Sequence, residues 1–255
     1  MRHLPTIAAL LLAAAMPLRA ATLYLSGTVG KAPVFVTVER SEGSIDGWYV
    51  YLRKGRQIRL EGHVDAGGAL TLTEKDASTN AATGAFEGRI DGERWTGSWH
   101  KPGIGMSLPF ALAENREPIA ENARFHCAAR NADRESKYTF RNSLDLELRS
   151  GEVAKFALES SATATDGDEQ ACHLGNEDLE RAASSGGLLL ETGTERPRCT
   201  VRVMRAGAYL YVAVGDANEE GNDCRMLEDT AFCSPRAFWT DLVLDTKSGD
   251  CKPVK

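Results

Sequence analysis

The chain lacks three things: a positive net charge, a long hydrophobic run beyond its first 20 residues, and any cysteine before Cys127. A nucleic-acid-binding protein needs a basic face for phosphates, so the net charge of -6 disfavours that class. A membrane-spanning helix needs about 20 apolar residues, which excludes a span after residue 20. The 42% hydrophobic and 26% charged residues are typical of globular proteins and exclude wholesale disorder.

The sequence also lacks the short motifs of common enzymes. It contains no G-x-S-x-G elbow, no H-E-x-x-H zinc helix and no glycine-rich phosphate loop. Acidic residues are numerous, and a carboxylate pair for glycoside hydrolysis stays open although no signature marks one. We therefore expect no catalytic residues, and a hydrolase with an unrecognised acidic site is only the second alternative.

The first 21 residues resemble a secretory signal peptide in their layout. Arg2 and His3 are followed by an apolar stretch from Ile7 to Met16, then by Pro17. The stretch is too short to span a bilayer, and small residues follow it at the expected cleavage site, near Ala20 or Ala21. We expect a periplasmic or secreted protein, with an uncleaved anchor as the alternative.

Six cysteines accord with export to an oxidising compartment. Their even number favours three disulfides, and the absence of close C-x2-C pairs disfavours a zinc site. Sequence does not choose among 15 connectivities. Our working pairing is Cys127–Cys251, Cys172–Cys199 and Cys224–Cys233.

Charge divides the chain into two halves. Residues 22–112 contain 10 Lys+Arg and 10 Asp+Glu, whereas residues 125–255 contain 16 and 23, a balance of -7. Residues 113–124 are polar, include Pro118 and show no strand alternation, as expected of a linker. We predict a signal peptide over 1–21, a neutral cysteine-free β-domain, this linker, and an acidic β-domain with the disulfides.

The first half has the period-two pattern of about eight half-buried strands. The motif apolar-x-Gly-x-apolar occurs five times, around Gly27, Gly47, Gly62, Gly88 and Gly97. Glycine weakens a strand unless a bend needs it, so the repeat predicts a strongly curved antiparallel meander or a small barrel. Two further expectations are a turn at Asp46-Gly47 and an edge position for the last strand, because Pro109 cannot donate to a ladder.

The second half is less regular but also β-rich. Alternation at Leu144–Leu148 and Ala154–Leu158, and apolar runs such as Tyr209–Val214, predict strands. Asn176 followed by two acidic residues resembles a helix cap and predicts one short helix through Ala183. The overall prediction is all-β.

Three further features are candidate binding sites. Asp216, Asn218 and Glu220 begin a segment resembling a calcium loop, although a polar hairpin loop is the favoured interpretation. Trp48, Tyr49, Tyr51, Trp95 and Trp99 are either core residues, the favoured interpretation, or a binding platform. A short loop closed by a Cys224–Cys233 disulfide would lose little entropy on binding a partner. Its candidate contacts are Arg225, Glu228, Asp229, Ser234, Pro235 and Arg236.

The first half resembles a β-module of exported bacterial proteins. The residues that carry this resemblance are L-Y-L-S-G-T-V-G from Leu23, G-W-Y-V-Y from Gly47, and W-T-G-S-W from Trp95. Some such proteins resemble periplasmic immunity proteins and lysozyme inhibitors, which neutralise enzymes that degrade peptidoglycan. The resemblance implies a non-catalytic protein that binds a cell-wall hydrolase, and the balance of -7 in the second half favours a cationic partner. We expect no cofactor, with calcium as the one candidate ion. The alternative is a carbohydrate-binding or scaffold module of the cell envelope.

Overall fold

The computed structural model describes residues 21–76, 79–133, 137–182, 184, 186–192, 199–215 and 241–254. These residues form β-strands, turns and irregular segments, without an α-helix. No described helix is therefore available to cross a membrane. The all-β prediction is confirmed.

The first eight strands close into a barrel. Each strand pairs antiparallel with its neighbour, and β8 pairs back onto β1. The strands are β1 Ala21–Val29, β2 Ala32–Ser41, β3 Ser44–Tyr51, β4 Arg56–Val64, β5 Ala69–Lys75, β6 Ala82–Asp91, β7 Arg94–Lys101 and β8 Met106–Glu114. Of the two folds that the sequence left open, the barrel is the correct one.

The five repeated glycines lie where an added side chain would collide with the backbone of the neighbouring strand. A Cβ atom on Gly27 would stand 1.9 Å from the carbonyl oxygen of Ala111, and one on Gly97 would stand 2.1 Å from that of Glu87. Added Cβ atoms at the other three would also stand 2.1–2.2 Å from a neighbouring carbonyl oxygen. Because a barrel this tight has no room for those methyl groups, the glycines permit its curvature.

Two local predictions for the barrel are wrong. Asp46 and Gly47 lie inside β3, because the glycine serves strand curvature rather than a turn. Strand β8 is not an edge, since it pairs with both β7 and β1. Pro109 is tolerated there because β1 pairing ends at Phe110, and the carbonyl of Pro109 accepts from Gly30 just beyond it.

The second half folds as two sheets that share one core. The first sheet has the order β12-β11-β10-β9 and the second the order β13-β14-β15-β16-β17-β18. Apolar residues of both sheets form a single cluster, including Leu146, Leu158, Val203 and Leu244. The strands are β9 Ala123–Asp133, β10 Tyr138–Arg149, β11 Glu152–Ala164, β12 Glu169–Gly175, β13 Glu180–Ala182, β14 Leu188–Glu191, β15 Thr200–Ala206, β16 Tyr209–Val214, β17 Leu242–Asp245 and β18 Cys251–Pro253.

The predicted short helix from Asn176 is wrong. Asn176 and Asp178 lie in a turn that leads into β13. The Asp178 carboxylate accepts from the backbone N–H of Gly175 at 2.8 Å, and the Asn176 side chain accepts from the backbone N–H of Phe156. These polar groups therefore close a turn and tie it to β11 instead of capping a helix.

A disulfide joins the edge strands of the two sheets. Cys127 on β9 and Cys251 on β18 are bonded, as the working pairing predicted. Cys172 and Cys199 are also disulfide-bonded, and the predicted link between them stays a prediction. Cys224 and Cys233 lie outside the described residues.

We call the two sheets of the second half the sandwich. The barrel and the sandwich pack directly against each other. Strands β15, β16 and β17 bury one face in the sandwich core and turn the other toward the outer face of β2 and β3. The Phe35 and Tyr211 rings stack there with centroids 4.6 Å apart. In the connection after β8, Asn115 donates to Ser26 at 2.9 Å and to the carbonyl of Arg205 at 2.6 Å. The connecting segment is thus held by both units rather than acting as a free linker.

Candidate functional site

The candidate site is the end of the barrel at which β3, β5 and β7 finish. A cavity of about 650 Å³ opens there, a size typical of small-molecule sites. Deeper in the barrel the remaining free space is only about 10 Å³, so the interior is filled. The lining residues are Tyr51, Lys54, Arg56, Gln57, Ile58, Glu74, Lys75, Asp76, Ala82, Thr83, Trp99, Lys101 and Pro102. We call this end the barrel mouth.

A buried carboxylate forms the floor of the barrel mouth. Glu74 is 6% exposed and continues the inward face of β5 after Leu70 and Leu72. Trp99 Nε1 donates to its Oε2 at 2.7 Å, Tyr49 Oη donates to the same oxygen at 3.0 Å, and Thr83 Oγ1 donates to Oε1 at 3.0 Å. Three neutral donors thus stabilise a carboxylate in an apolar barrel.

The neighbouring strands make room for this carboxylate. A Cβ atom on Gly84 would stand 2.4 Å from Trp99 Nε1 and 2.5 Å from Glu74 Oε2. Gly84 lies opposite Glu74 in the β5–β6 ladder, so any side chain there would break the bond between Trp99 and Glu74. The glycine is therefore part of the site.

Two tyrosines link the floor to the entrance. The hydroxyl oxygens of Tyr49 and Tyr51 lie 3.2 Å apart, and Tyr51 is half-buried at the cavity wall. Burial, followed by the nearby Glu74 charge, raises the pKa of Tyr49 far above its usual range. Burial also raises the pKa of Tyr51. Both phenols therefore keep their protons at neutral pH, and Tyr49 remains a donor to Glu74.

The rim of the barrel mouth is basic. Lys54, Arg56 and Lys101 are exposed around the cavity, and none forms an ion pair within the described part of the chain. Lys75, by contrast, pairs with Glu61. The rim also carries Asp76, whose Oδ1 accepts from the backbone N–H of Thr79 at 2.9 Å and so closes the β5–β6 turn.

The aromatic residues separate into three environments. Trp95 and Trp99 are buried inside the barrel, as the core interpretation predicted, and Tyr49 lies with them. Trp48 packs against the cluster between barrel and sandwich, so it does not form a binding platform. Tyr51 reaches the barrel mouth.

The predicted binding residues of the second half lie outside the described residues. This holds for the calcium candidates Asp216, Asn218 and Glu220. It holds equally for the predicted partner contacts Arg225, Glu228, Asp229, Ser234, Pro235 and Arg236. Their roles stay predictions.

Sequence reasoning missed Glu74. The available signal was its place two residues after Leu72 and four after Leu70, on the apolar face of a predicted strand. Its donors Tyr49 and Trp99 are each 25 residues away along the chain, so only the closed barrel brings them together.

Comparisons with protein-family models, curated proteins and solved structures give no match for this chain. The fold and the barrel mouth are therefore the basis for proposing a function.

Proposed function

We propose that this is a non-catalytic binding protein of the cell envelope, and that the barrel mouth binds a small hydroxyl-rich ligand such as a peptidoglycan fragment. The observation that carries the proposal is the buried Glu74 at the floor of an open cavity of about 650 Å³. A small closed barrel with room at one end is a frequent architecture for binding a single small ligand.

The side chains at the barrel mouth suit a polar ligand with several hydroxyl groups. Tyr51 and Thr83 offer hydroxyls, Gln57 offers an amide, and the cationic rim adds donors. The edge of Trp99 and the side chain of Ile58 add apolar surface beside them. Mixed aromatic and polar surfaces of this kind bind sugars by stacking and hydrogen bonding.

The positions of the two carboxylates support binding rather than catalysis. Glu74 accepts hydrogen bonds from three side chains, and Asp76 accepts from Thr79 within its own turn. A glycosidase needs one carboxyl group to give up a proton and a second to attack or to activate water. Both carboxylates here accept hydrogen bonds that stabilise the barrel mouth.

The experiment is a titration of the full mature chain with soluble peptidoglycan fragments. Calorimetry and tryptophan fluorescence measure the binding. We expect saturable binding that Tyr51→Ala or Arg56→Gln weakens about 5-fold or more, because each removes a direct contact. Arg94→Gln is the matched control, since Arg94 is exposed at the opposite end of the barrel. Equal affinity in all variants, or no binding to the fragments, would refute the proposal.

The inhibitor hypothesis is a second candidate favoured by the charge balance of -7 over residues 125–255. An acidic surface accelerates association with a cationic enzyme. Pull-down with the mature protein from periplasmic and secreted extracts tests it. If no hydrolase is retained and lytic activity is unchanged, the acidic half serves another purpose.

A further inference from the structure

We propose that the ligand of the barrel mouth carries two opposite charges: an ammonium group that meets Glu74 at the floor and an anionic group that meets the basic rim. The ligand class is an amino sugar bearing a phosphate or carboxylate. This inference rests on the proposed function and specifies the chemistry of its ligand.

The floor supplies the negative end. Glu74 Oε2 already accepts from Tyr49 and Trp99, whereas Oε1 accepts from Thr83 alone. A carboxylate offers about four acceptor positions, so Oε1 retains one, and Glu74 is among the residues that line the cavity. No cation pairs with Glu74 among the described residues. An ammonium group would donate a charge-assisted hydrogen bond to this position, which is about twice as strong as a neutral one.

The rim supplies the positive end. Lys54, Arg56 and Lys101 surround the entrance, and each lacks an ionic partner among the residues that the structure describes. One acidic residue, Asp76, also lies at the entrance, and its Oδ1 accepts hydrogen bonds from the backbone N–H and the hydroxyl of Thr79. Arginine and lysine side chains placed this way attract phosphates and carboxylates, and Arg56 can do so with two parallel hydrogen bonds.

The two charges stand at different depths, which fixes the orientation of the ligand. Glu74 is buried and the three cations are exposed. A ligand with its ammonium group inward and its anionic group outward satisfies both ends at once. The reverse orientation would place an anion beside Glu74 and an ammonium among three cations, which repels at both ends.

Three sugars with the same ring test the charges one at a time: glucosamine 6-phosphate, N-acetylglucosamine 6-phosphate and glucosamine. We expect glucosamine 6-phosphate to bind most tightly. N-acetylation, which removes the ammonium charge, should weaken binding about 10- to 100-fold. Loss of the phosphate should weaken it about 3- to 10-fold, because the rim is exposed to solvent.

Two variants assign each preference to its residues. Glu74→Gln retains an acceptor oxygen for Trp99 and should abolish the preference for the free amine while keeping that for phosphate. Arg56→Gln with Lys101→Gln should do the opposite. Arg94→Gln should change neither, and thermal melting confirms that each variant is folded.

The outcomes separate this inference from the proposed function. Equal binding of the free and acetylated amines, or a phosphate preference that survives loss of Arg56 and Lys101, overturns the inference. If peptidoglycan fragments bind but none of the three sugars does, the charge assignment is wrong and the proposed function stands. If neither fragments nor sugars bind, both fail.

Discussion

The barrel and the sandwich bury their apolar side chains in different ways. The barrel closes one sheet around a core that contains Tyr49, Trp95 and Trp99 and the buried carboxylate of Glu74. The sandwich packs two sheets around a mostly aliphatic core and is joined at its edge by a disulfide. A closed sheet has no free edge but has two ends, and the candidate site lies at the end of the barrel that side chains leave unfilled.

The largest expected effect comes from breaking the contact between the two units. Phe35→Ala should lower the free energy of unfolding by about 4 kcal/mol, because it removes a fully buried ring that stacks on Tyr211. Denaturant unfolding, followed by far-ultraviolet circular dichroism and tryptophan fluorescence, measures the loss. Two separated transitions would show that the barrel and the sandwich fold independently once the contact is weakened.

Removing the Cys127–Cys251 disulfide should destabilise the sandwich by about 3 kcal/mol. The two cysteines are 124 residues apart, so their bond restricts a long loop in the unfolded chain. Thermal unfolding of the double variant Cys127→Ala with Cys251→Ala gives the value. A larger loss in fully reduced wild-type protein than in the double variant would indicate further contributions from the disulfides of Cys172 and Cys199.

Gly97→Ala should destabilise the barrel by about 2 kcal/mol or more. The added methyl group would lie 2.1 Å from the carbonyl oxygen of Glu87 and 2.5 Å from the Cα atom of Gly88, so the backbone must shift. Chemical unfolding checks this, with Gly67→Ala as the control. The added atom at Gly67 would lie 3.3 Å from one Asp65 oxygen, and we expect a change below about 0.5 kcal/mol there. Similar losses at both positions would contradict the assigned role of Gly97.

The smallest effect is a pH-dependent one on the sandwich surface. The hydrogen bond from Lys155 at 3.0 Å, together with His126 at 2.7 Å, lowers the pKa of Asp145. A lowered folded-state pKa stabilises the protein above the unfolded pKa of about 3.9, and this contribution disappears as the pH falls through the folded value. Asp145→Asn should therefore cost about 0.5 kcal/mol at pH 7, discounted for solvent exposure, and almost nothing at about pH 2.

Urea unfolding at both pH values measures that difference. The change should concern only the sandwich, because Asp145 lies on β10 and pairs with groups of β9 and β11. A cost that stays constant between the two pH values would show that packing, rather than charge, stabilises Asp145.

The barrel could be predicted from sequence because its signals are local. Period-two alternation identified strands, and glycine repeated on the apolar face indicated curvature. The sequence pattern did not decide whether the strands close into a barrel. Closure requires β1 to pair with β8, which joins residues such as Gly27 and Leu112 that are far apart along the chain. The wrong prediction that Pro109 marks an edge strand has the same cause. Whether a proline is tolerated in β8 depends on where its pairing with β1 ends, and the local sequence does not show this.

The site was less predictable than the fold. Its floor depends on the small size of Gly84 and on two hydrogen bonds to one glutamate from residues that are 25 positions away along the chain. The prediction of a helix from Asn176 was wrong for a related reason. The Asn176 side chain accepts a hydrogen bond from the backbone N–H of Phe156, 20 residues earlier, and this tertiary contact overrides the local capping pattern. The partner loop at 225–236 was predicted from cysteine spacing alone and stays a prediction.

The Cys127–Cys251 bond has a consequence for the barrel mouth. Cys251 begins β18, and the next residue, Lys252, donates through Nζ to the carbonyl of Arg53 at 2.6 Å in the segment between β3 and β4. Gly55 in that segment lies so close to the Pro253 carbonyl that an added Cβ would stand 2.7 Å from it. The strand that the disulfide anchors therefore holds one lip of the barrel mouth, beside Lys54 and Arg56. We therefore predict that a ligand bound at the barrel mouth dissociates faster from reduced protein that is still folded than from the oxidised protein.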